Sequence, residues 1–128
     1  VRALLDTHTF LWFLGGSLRL SPQARRIIED RENSVSVSTA SLWEIAIKTS
    51  IGKLKLERPF AELIPEQLEK QQIGVLAIEL AHLATVAKLP LHHRDPFDRL
   101  IIAQAMAERL PVLSVDEVFD AYPVQRVW

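Results

Sequence analysis

Four carboxylates stand at points in the chain where side chains can do chemistry: Asp6, Glu44, Asp98 and Asp116. Asp6 follows the apolar run Ala3-Leu4-Leu5 directly, and Asp116 follows Val112-Leu113-Ser114-Val115. Glu44 and Asp98 fall in the first turns of two helical patterns, one opening at Ser41 and the other at Asp95-Pro96. In an open parallel sheet, ligands bind in the crevice outside the carboxyl ends of the strands. All four segments lead to such an edge. Carboxylates gathered there repel one another unless positive charge sits among them, and a divalent cation meets that need. Mg²⁺ typically takes one or two carboxylates directly and keeps several waters. The chemistry that follows is phosphodiester hydrolysis, with a polarised phosphoryl oxygen, a water of lowered pKa and a steadied leaving oxygen.

Each acid also has a purely structural reading. Ser41-Leu42-Trp43-Glu44 matches the capping-box pattern, with Glu44 reaching back to the Ser41 amide. Asp95 can cap its helix with Asp98 as the third-position partner, and Asp6 and Asp116 can cap whatever helix follows them. Negative charge is favoured at helix N-termini by the macrodipole. Singly, capping is the better account of each acid. Four together at one edge favour the cation.

The elements that must position these acids alternate between strand-like and helix-like, the pattern of an α/β domain with a mainly parallel sheet. Strands are expected at Ala3-Leu4-Leu5, around Val35 and Val37, over 75–78, over 112–115 and, at an edge, over 124–127. Helices are expected over 10–14, ended by Gly15-Gly16, and from Ser21-Pro22 to about Arg31. Another opens at Ser41, with Gly52 as its stop. The remaining three cover 60–72, with Pro65 as a break or restart, 79–88, and 96–110. No repeat, low-complexity tract or linker appears, so 1–128 reads as one domain.

Composition narrows the chemistry further. The 128 residues are 48 % hydrophobic and 24 % charged, enough for a packed core. There is no cysteine, which excludes disulfides, thiolate metal sites and thiol nucleophiles. Oxygen ligands from Asp and Glu suit a hard ion, Mg²⁺ or Mn²⁺. The net charge of −1 gives no basic excess for nucleic acid, but Lys48, Lys53, Lys55 and Arg58 form one basic group and His92, His93, Arg94 and Arg99 another. Either is an ordinary solvated face, or the two rim the acidic cleft and hold phosphates. No apolar run reaches the roughly 18 residues of a membrane span. No signal peptide is visible, and a cytoplasmic location is expected.

In these segments the chain resembles the PIN-domain ribonucleases, and within them the VapC-type toxins of bacterial toxin–antitoxin pairs. The resemblance rests on Leu4-Leu5-Asp6-Thr7-His8, on Ser41-Leu42-Trp43-Glu44-Ile45-Ala46-Ile47-Lys48 and on Leu113-Ser114-Val115-Asp116. It rests most on His93-Arg94-Asp95-Pro96-Phe97-Asp98-Arg99-Leu100-Ile101-Ile102-Ala103-Gln104-Ala105, and it covers essentially the whole chain. It implies a three-layer α/β/α PIN-like domain and Mg²⁺- or Mn²⁺-dependent endonucleolytic cleavage of RNA. It also implies a small cognate antitoxin that blocks the groove, with homodimers and toxin–antitoxin hetero-oligomers. Asp6, Glu44 and Asp98 are similar to the three acids that this family uses for metal binding and catalysis, and Asp116 to a fourth. Thr7 and Ser114 match hydroxyl positions that support the site. Asp95 is read as the cap and Asp98 as the ligand.

Candidate RNA contacts are Lys48, Lys53, Lys55, Arg58, His93 and Arg99. Arg99 can instead brace the acids through a salt bridge. His8 and His92 read as loop or partly buried groups. Trp12, Trp43 and Phe97 offer faces on which bases can stack, although Trp12 and Trp43 fall in apolar helical patterns that suit core or subunit contact. Three rivals remain. A receiver-type phosphoacceptor domain would need paired acids after the first strand and a Lys after the last core strand; Asp6 has no acidic neighbour, and no Lys follows Lys88. A haloacid-type phosphatase would need a second Asp beside Asp6. A non-catalytic RNA- or protein-binding module on the same fold is a rival because fold alone never sets activity; loss of one acid would favour it, but all four are present.

Overall fold

The computed structural model describes residues 1–128. Leu4 and Leu5 point to opposite faces of the first strand, and neither is exposed to solvent. Burial on both faces marks the centre of a parallel sheet. Around this strand, β1 (Arg2–Leu5), lie β2 (Ser34–Ser38), β3 (Gly74–Leu76), β4 (Val112–Leu113) and β5 (Arg126–Val127). They form one sheet in the order β3-β2-β1-β4-β5, and every pair is parallel. Leu5 is in register with Val37 on one side and Leu113 on the other.

Six helices connect the strands: α1 (Thr7–Gly15), α2 (Pro22–Glu29), α3 (Thr39–Ser50), α4 (Phe60–Lys70), α5 (Leu80–Lys88) and α6 (Pro96–Glu108). A 3₁₀ turn at Glu117–Ala121 precedes β5. The chain steps outward from β1 to β2 to β3, then returns past β1 to β4. Parallel crossovers are right-handed, so reversing the direction moves the helices to the other face. The packing agrees. Ala3, Leu5, Val35, Val37 and Leu113 pack with Phe10, Ala24, Ile45 and Ile64 of α1 to α4. Leu4 and Val112 pack with Ile101, Ile102 and Ala105 of α6 and Phe119 of the 3₁₀ turn. The fold is therefore three-layered, α/β/α. Truncating Leu4 or Leu5 to Ala should cost about 2–5 kcal/mol, the usual range for a filled core site.

Several boundaries differ from the sequence expectation for identifiable reasons. Helix α1 begins at Thr7, three residues before Phe10, because Asp6 caps it. Its end is as expected, with Gly16 in the left-handed conformation at φ 63°. Helix α3 begins at Thr39 and is capped by Ser38, not Ser41. Helix α4 runs through Pro65, which is neither a break nor a restart.

The order β3-β2-β1-β4-β5 puts the topological switch point between β1 and β4, where ligands of open α/β sheets bind. It also differs from the 2-1-3-4-5 order of receiver domains, so the receiver reading falls on topology.

Candidate active site

Asp6 is the first residue beyond β1 and lies at the switch point, only 4 % exposed. Its amide donates to the Leu113 carbonyl of β4 (3.3 Å), and the Thr9 hydroxyl donates to the same carbonyl (2.8 Å). One carboxylate oxygen, Oδ1, accepts the Thr9 amide at 2.8 Å and so caps α1. The other, Oδ2, accepts a hydrogen bond from the buried Ser114 hydroxyl. Ser114 Oγ in turn accepts the Asp116 amide at 3.0 Å. Burial raises the Asp6 pKa above the usual carboxylate range, against the lowering effect of the Ser114 and Thr9 hydrogen bonds. The capping and site readings of Asp6 thus coexist in one side chain.

Glu44 is the sixth residue of α3, one turn deeper than expected, so the capping-box reading does not hold. It is 5 % exposed. Its Oε1 accepts the Thr7 hydroxyl at 2.7 Å, and its Oε2 pairs with Lys48 Nζ at 2.8 Å. Thr7 Oγ1 also lies 2.9 Å from Ser41 Oγ. A carboxylate can only accept, so the single Thr7 proton goes to Glu44 and Ser41 supplies the proton of the second bond. Ser41 was expected only as a cap. Its i,i+3 spacing to Glu44 was the signal that both share a helix face.

Asp98 lies in the first turn of α6, which Asp95 caps by accepting the Phe97 and Asp98 amides at 2.8 and 3.1 Å. Asp98 Oδ2 sits 2.9 Å from His93 Nε2. Burial, followed by the nearby charges of Asp95 and Asp6, pushes the Asp98 pKa up to about 6, although His93 opposes the shift. The pairing of His93 with Asp98 is new relative to the sequence reading, which had it as a substrate contact. Donor atoms of His93, Asp95 and Asp98 all lie within 4.8 Å of one another.

The four acids share the carboxyl edge of the sheet without forming one tight cluster. Asp6 and Asp98 feel each other's charge. Glu44 joins them through Thr7, the neighbour of Asp6, and Asp116 through Ser114. Asp116 is exposed, and its own Oδ1 caps the 3₁₀ turn through the Val118 amide at 3.0 Å.

The basic residues separate. Lys48 is at the site, on Glu44. Lys53 and Lys55 are exposed in the segment after α3 and belong to no ion pair, whereas Arg58 pairs with Glu66. Arg99 pairs with no acid. Its guanidinium donates to the carbonyls of Leu89 (3.1 Å), Pro90 (3.0 Å) and His93 (3.3 Å), which ties down the segment that carries His93.

The donor chemistry fits a hard divalent cation. Asp6 is buried and Asp98 part-buried, the two carboxylates repel each other, and no Lys or Arg pairs with either. Oxygen donors with one imidazole nearby suit Mg²⁺ or Mn²⁺ better than a thiophilic ion.

The PIN domain family model matches residues 3–125, and the chain belongs to that family. It is similar to ribonuclease VapC16 of Mycobacterium tuberculosis, 37 % identical over 62 residues, which are 48 % of this chain and 44 % of that protein. The match thus spans less than half of that relative. Among solved structures, VapBC2 from Rickettsia felis, bound to a DNA fragment from its promoter, superposes with a TM-score of 0.75 at 14 % identity, covering 100 % of this chain and 99 % of the other. FitAcB from Neisseria gonorrhoeae gives 0.67 at 19 %, covering 100 % and 97 %. A toxin–antitoxin complex from Klebsiella pneumoniae gives 0.66 at 16 %, covering 98 % and 96 %. At these identities the likeness concerns the fold. No helix is long and apolar enough to cross a membrane.

Proposed function

We propose that this chain is a metal-dependent endoribonuclease that hydrolyses RNA phosphodiester bonds as the toxin of a toxin–antitoxin pair. The observation that carries the reading is the pair of buried Asp6 and part-buried Asp98 at the switch point of a PIN-domain sheet, with no Lys or Arg paired to either. The names of its relatives, a ribonuclease and toxin–antitoxin complexes, add the substrate class and the partner. The reading takes 1–128 as one domain working in the cytoplasm. The partners are a small antitoxin that blocks the groove and a second copy of the chain.

Asp6, Asp98 and Glu44 would hold Mg²⁺ or Mn²⁺, with Asp116 at the outer side. When bound, such an ion polarises a phosphoryl oxygen and lowers the pKa of water. The protein's own residues do the rest. Ser114 and the Thr9 amide fix the Asp6 carboxylate. Thr7 and Lys48 fix Glu44. Arg99 keeps the His93 segment against α6, so that His93 orients Asp98. Lys53 and Lys55, exposed and in no ion pair, follow the far end of α3 and would meet the RNA backbone away from the acids.

The test is cleavage of a mixed RNA pool by purified protein with Mg²⁺ or Mn²⁺, repeated in EDTA, with Asp98→Asn alongside. Cleavage that needs metal and vanishes in the variant is expected. Wild-type cleavage by Asp98→Asn would overturn the site assignment. Folded, antitoxin-free protein that cleaves nothing with either ion would turn the reading toward a binding module.

A further inference from the structure

Two aromatic residues stand immediately before two of the acids: Trp43 before Glu44 on α3 and Phe97 before Asp98 on α6. Their rings meet across the two helices, 5.2 Å between centroids and 76° between planes. Phe97 is half-buried, but Trp43 is 58 % exposed. That is unusual within this molecule. Phe10 and Phe119 are fully buried, and Trp12 is packed between His8 and Trp128.

An edge-to-face pair uses at most one face of the indole, so Trp43 presents a free aromatic face to solvent. Phe97 braces that face from a second helix. The brace limits how far the indole moves, so little ordering is left to be lost when a flat ligand lands on it. The sequence pattern suggested core or subunit contact for Trp43, and its exposure removes the first of these. The platform adjoins Glu44 and Asp98, where the proposed reaction places a phosphate. The occupant that continues from a phosphate onto a flat apolar surface is the base of the same strand. Bases in a duplex are stacked on each other and cannot reach a side chain in this way. Base–aromatic stacking also tolerates any sequence, because every base has a π-face.

Resting on the ribonuclease reading, we infer that Trp43, braced by Phe97, is a stacking platform for the unpaired base beside the scissile phosphate.

The experiment measures binding by anisotropy of an end-labelled oligonucleotide. The full chain carries Asp98→Asn, so that the probe survives. The probes are a short single-stranded RNA, its abasic analogue with the same phosphates, and the corresponding duplex. Trp43→Ala should weaken binding of the single strand roughly 10-fold, while Trp43→Phe, which keeps a ring, should stay within about 3-fold. Neither substitution should change binding of the abasic analogue or the duplex. Because Trp43 is exposed, both variants should fold, which circular dichroism checks. Equal losses on the intact and abasic strands, or none on either, would overturn the inference; an unchanged affinity would give the platform to a protein partner instead. Cleavage of the mixed pool by the unsubstituted chain reports separately on the ribonuclease reading. Cleavage with a silent Trp43→Ala overturns the platform alone, and absence of both cleavage and binding overturns both.

Discussion

The acidic edge has two corners that treat negative charge in opposite ways. At the α3 corner, Glu44 is met by the Thr7 hydroxyl and the Lys48 ammonium, so the protein supplies the counter-charge itself. At the corner between β1 and α6, buried Asp6 and part-buried Asp98 feel each other's charge, with Asp95 beside Asp98, and no Lys or Arg pairs with either; Asp6 has the Ser114 and Thr9 hydrogen bonds and the charge of His8 in opposition, and Asp98 has His93. Both corners use carboxylates less than a quarter exposed. On the proposed reading, the difference separates Glu44, which the protein already holds with its own counter-charge, from Asp6 and Asp98, which rely more on the ion. Burying an uncompensated carboxylate is costly, and such costs gather at functional sites.

The largest effect should come from removing the Asp98 charge. Asp98→Asn should lower cleavage by roughly 10²- to 10³-fold or more, the scale for losing a key electrostatic group. The same substitution should stabilise the metal-free protein. The Asp98 pKa lies near 6 against an ordinary 3.8. The two or so units correspond to at most about 3 kcal/mol, reduced by the lost His93 bond. A gain of about 1–2 kcal/mol in urea unfolding in EDTA at neutral pH is expected; a loss of stability would mean that the two corners are alike.

Lys48→Met should do the reverse at the other corner. It leaves Glu44 buried without its cation and should cost about 1–2 kcal/mol in urea unfolding, since removing one partner of a charge-assisted bond exposes the desolvation cost of the other. Tighter Mg²⁺ binding by calorimetry should accompany it, because Glu44 is freed. Unchanged Mg²⁺ affinity would separate Glu44 from the ion.

A smaller effect is expected from pH. A raised carboxyl pKa means that the folded state holds the proton more tightly. Its penalty is therefore full above about pH 6 and is relieved as pH falls toward 3.8. Between pH 7 and 5 the metal-free protein should gain about 1 kcal/mol from Asp98, a gain absent from Asp98→Asn. The rise in Tm produced by Mg²⁺ should shrink over the same range, as protons compete for that carboxylate. The smallest effect should be Asp116→Ala, which loses one cap of a 3₁₀ turn, about 1 kcal/mol or less in stability.

Legibility followed the range of the interactions. The parallel sheet, its core strands and the α6 start were readable because Leu4-Leu5, Val112-Leu113 and Asp95-Pro96 carry their signals within a few residues. The α3 start was not. Ser38 and Ser41 are equally good caps in the segment Ser38-Thr39-Ala40-Ser41, and Ser41 is instead engaged by Thr7, 34 residues away. Arg99 was misleading for a similar reason, because the carbonyls it satisfies belong to an irregular segment that no side-chain pattern reveals. The basic group Lys53, Lys55 and Arg58 looked uniform in sequence, yet Glu66 on α4 takes one of its members.

Asp6 has a consequence beyond orientation. Its two oxygens are held by different elements, one by the first turn of α1 and one by the hydroxyl beyond β4. A carboxylate anchored at both ends has little freedom to swing outward. Ca²⁺ asks for ligands at about 2.3–2.6 Å and accepts loose geometry, whereas Mg²⁺ wants about 2.0–2.1 Å and a near-ideal octahedron. A side chain that cannot retreat measures the radius of whatever it meets. On the proposed reading, the bond that starts a helix would therefore also gauge the size of the ion.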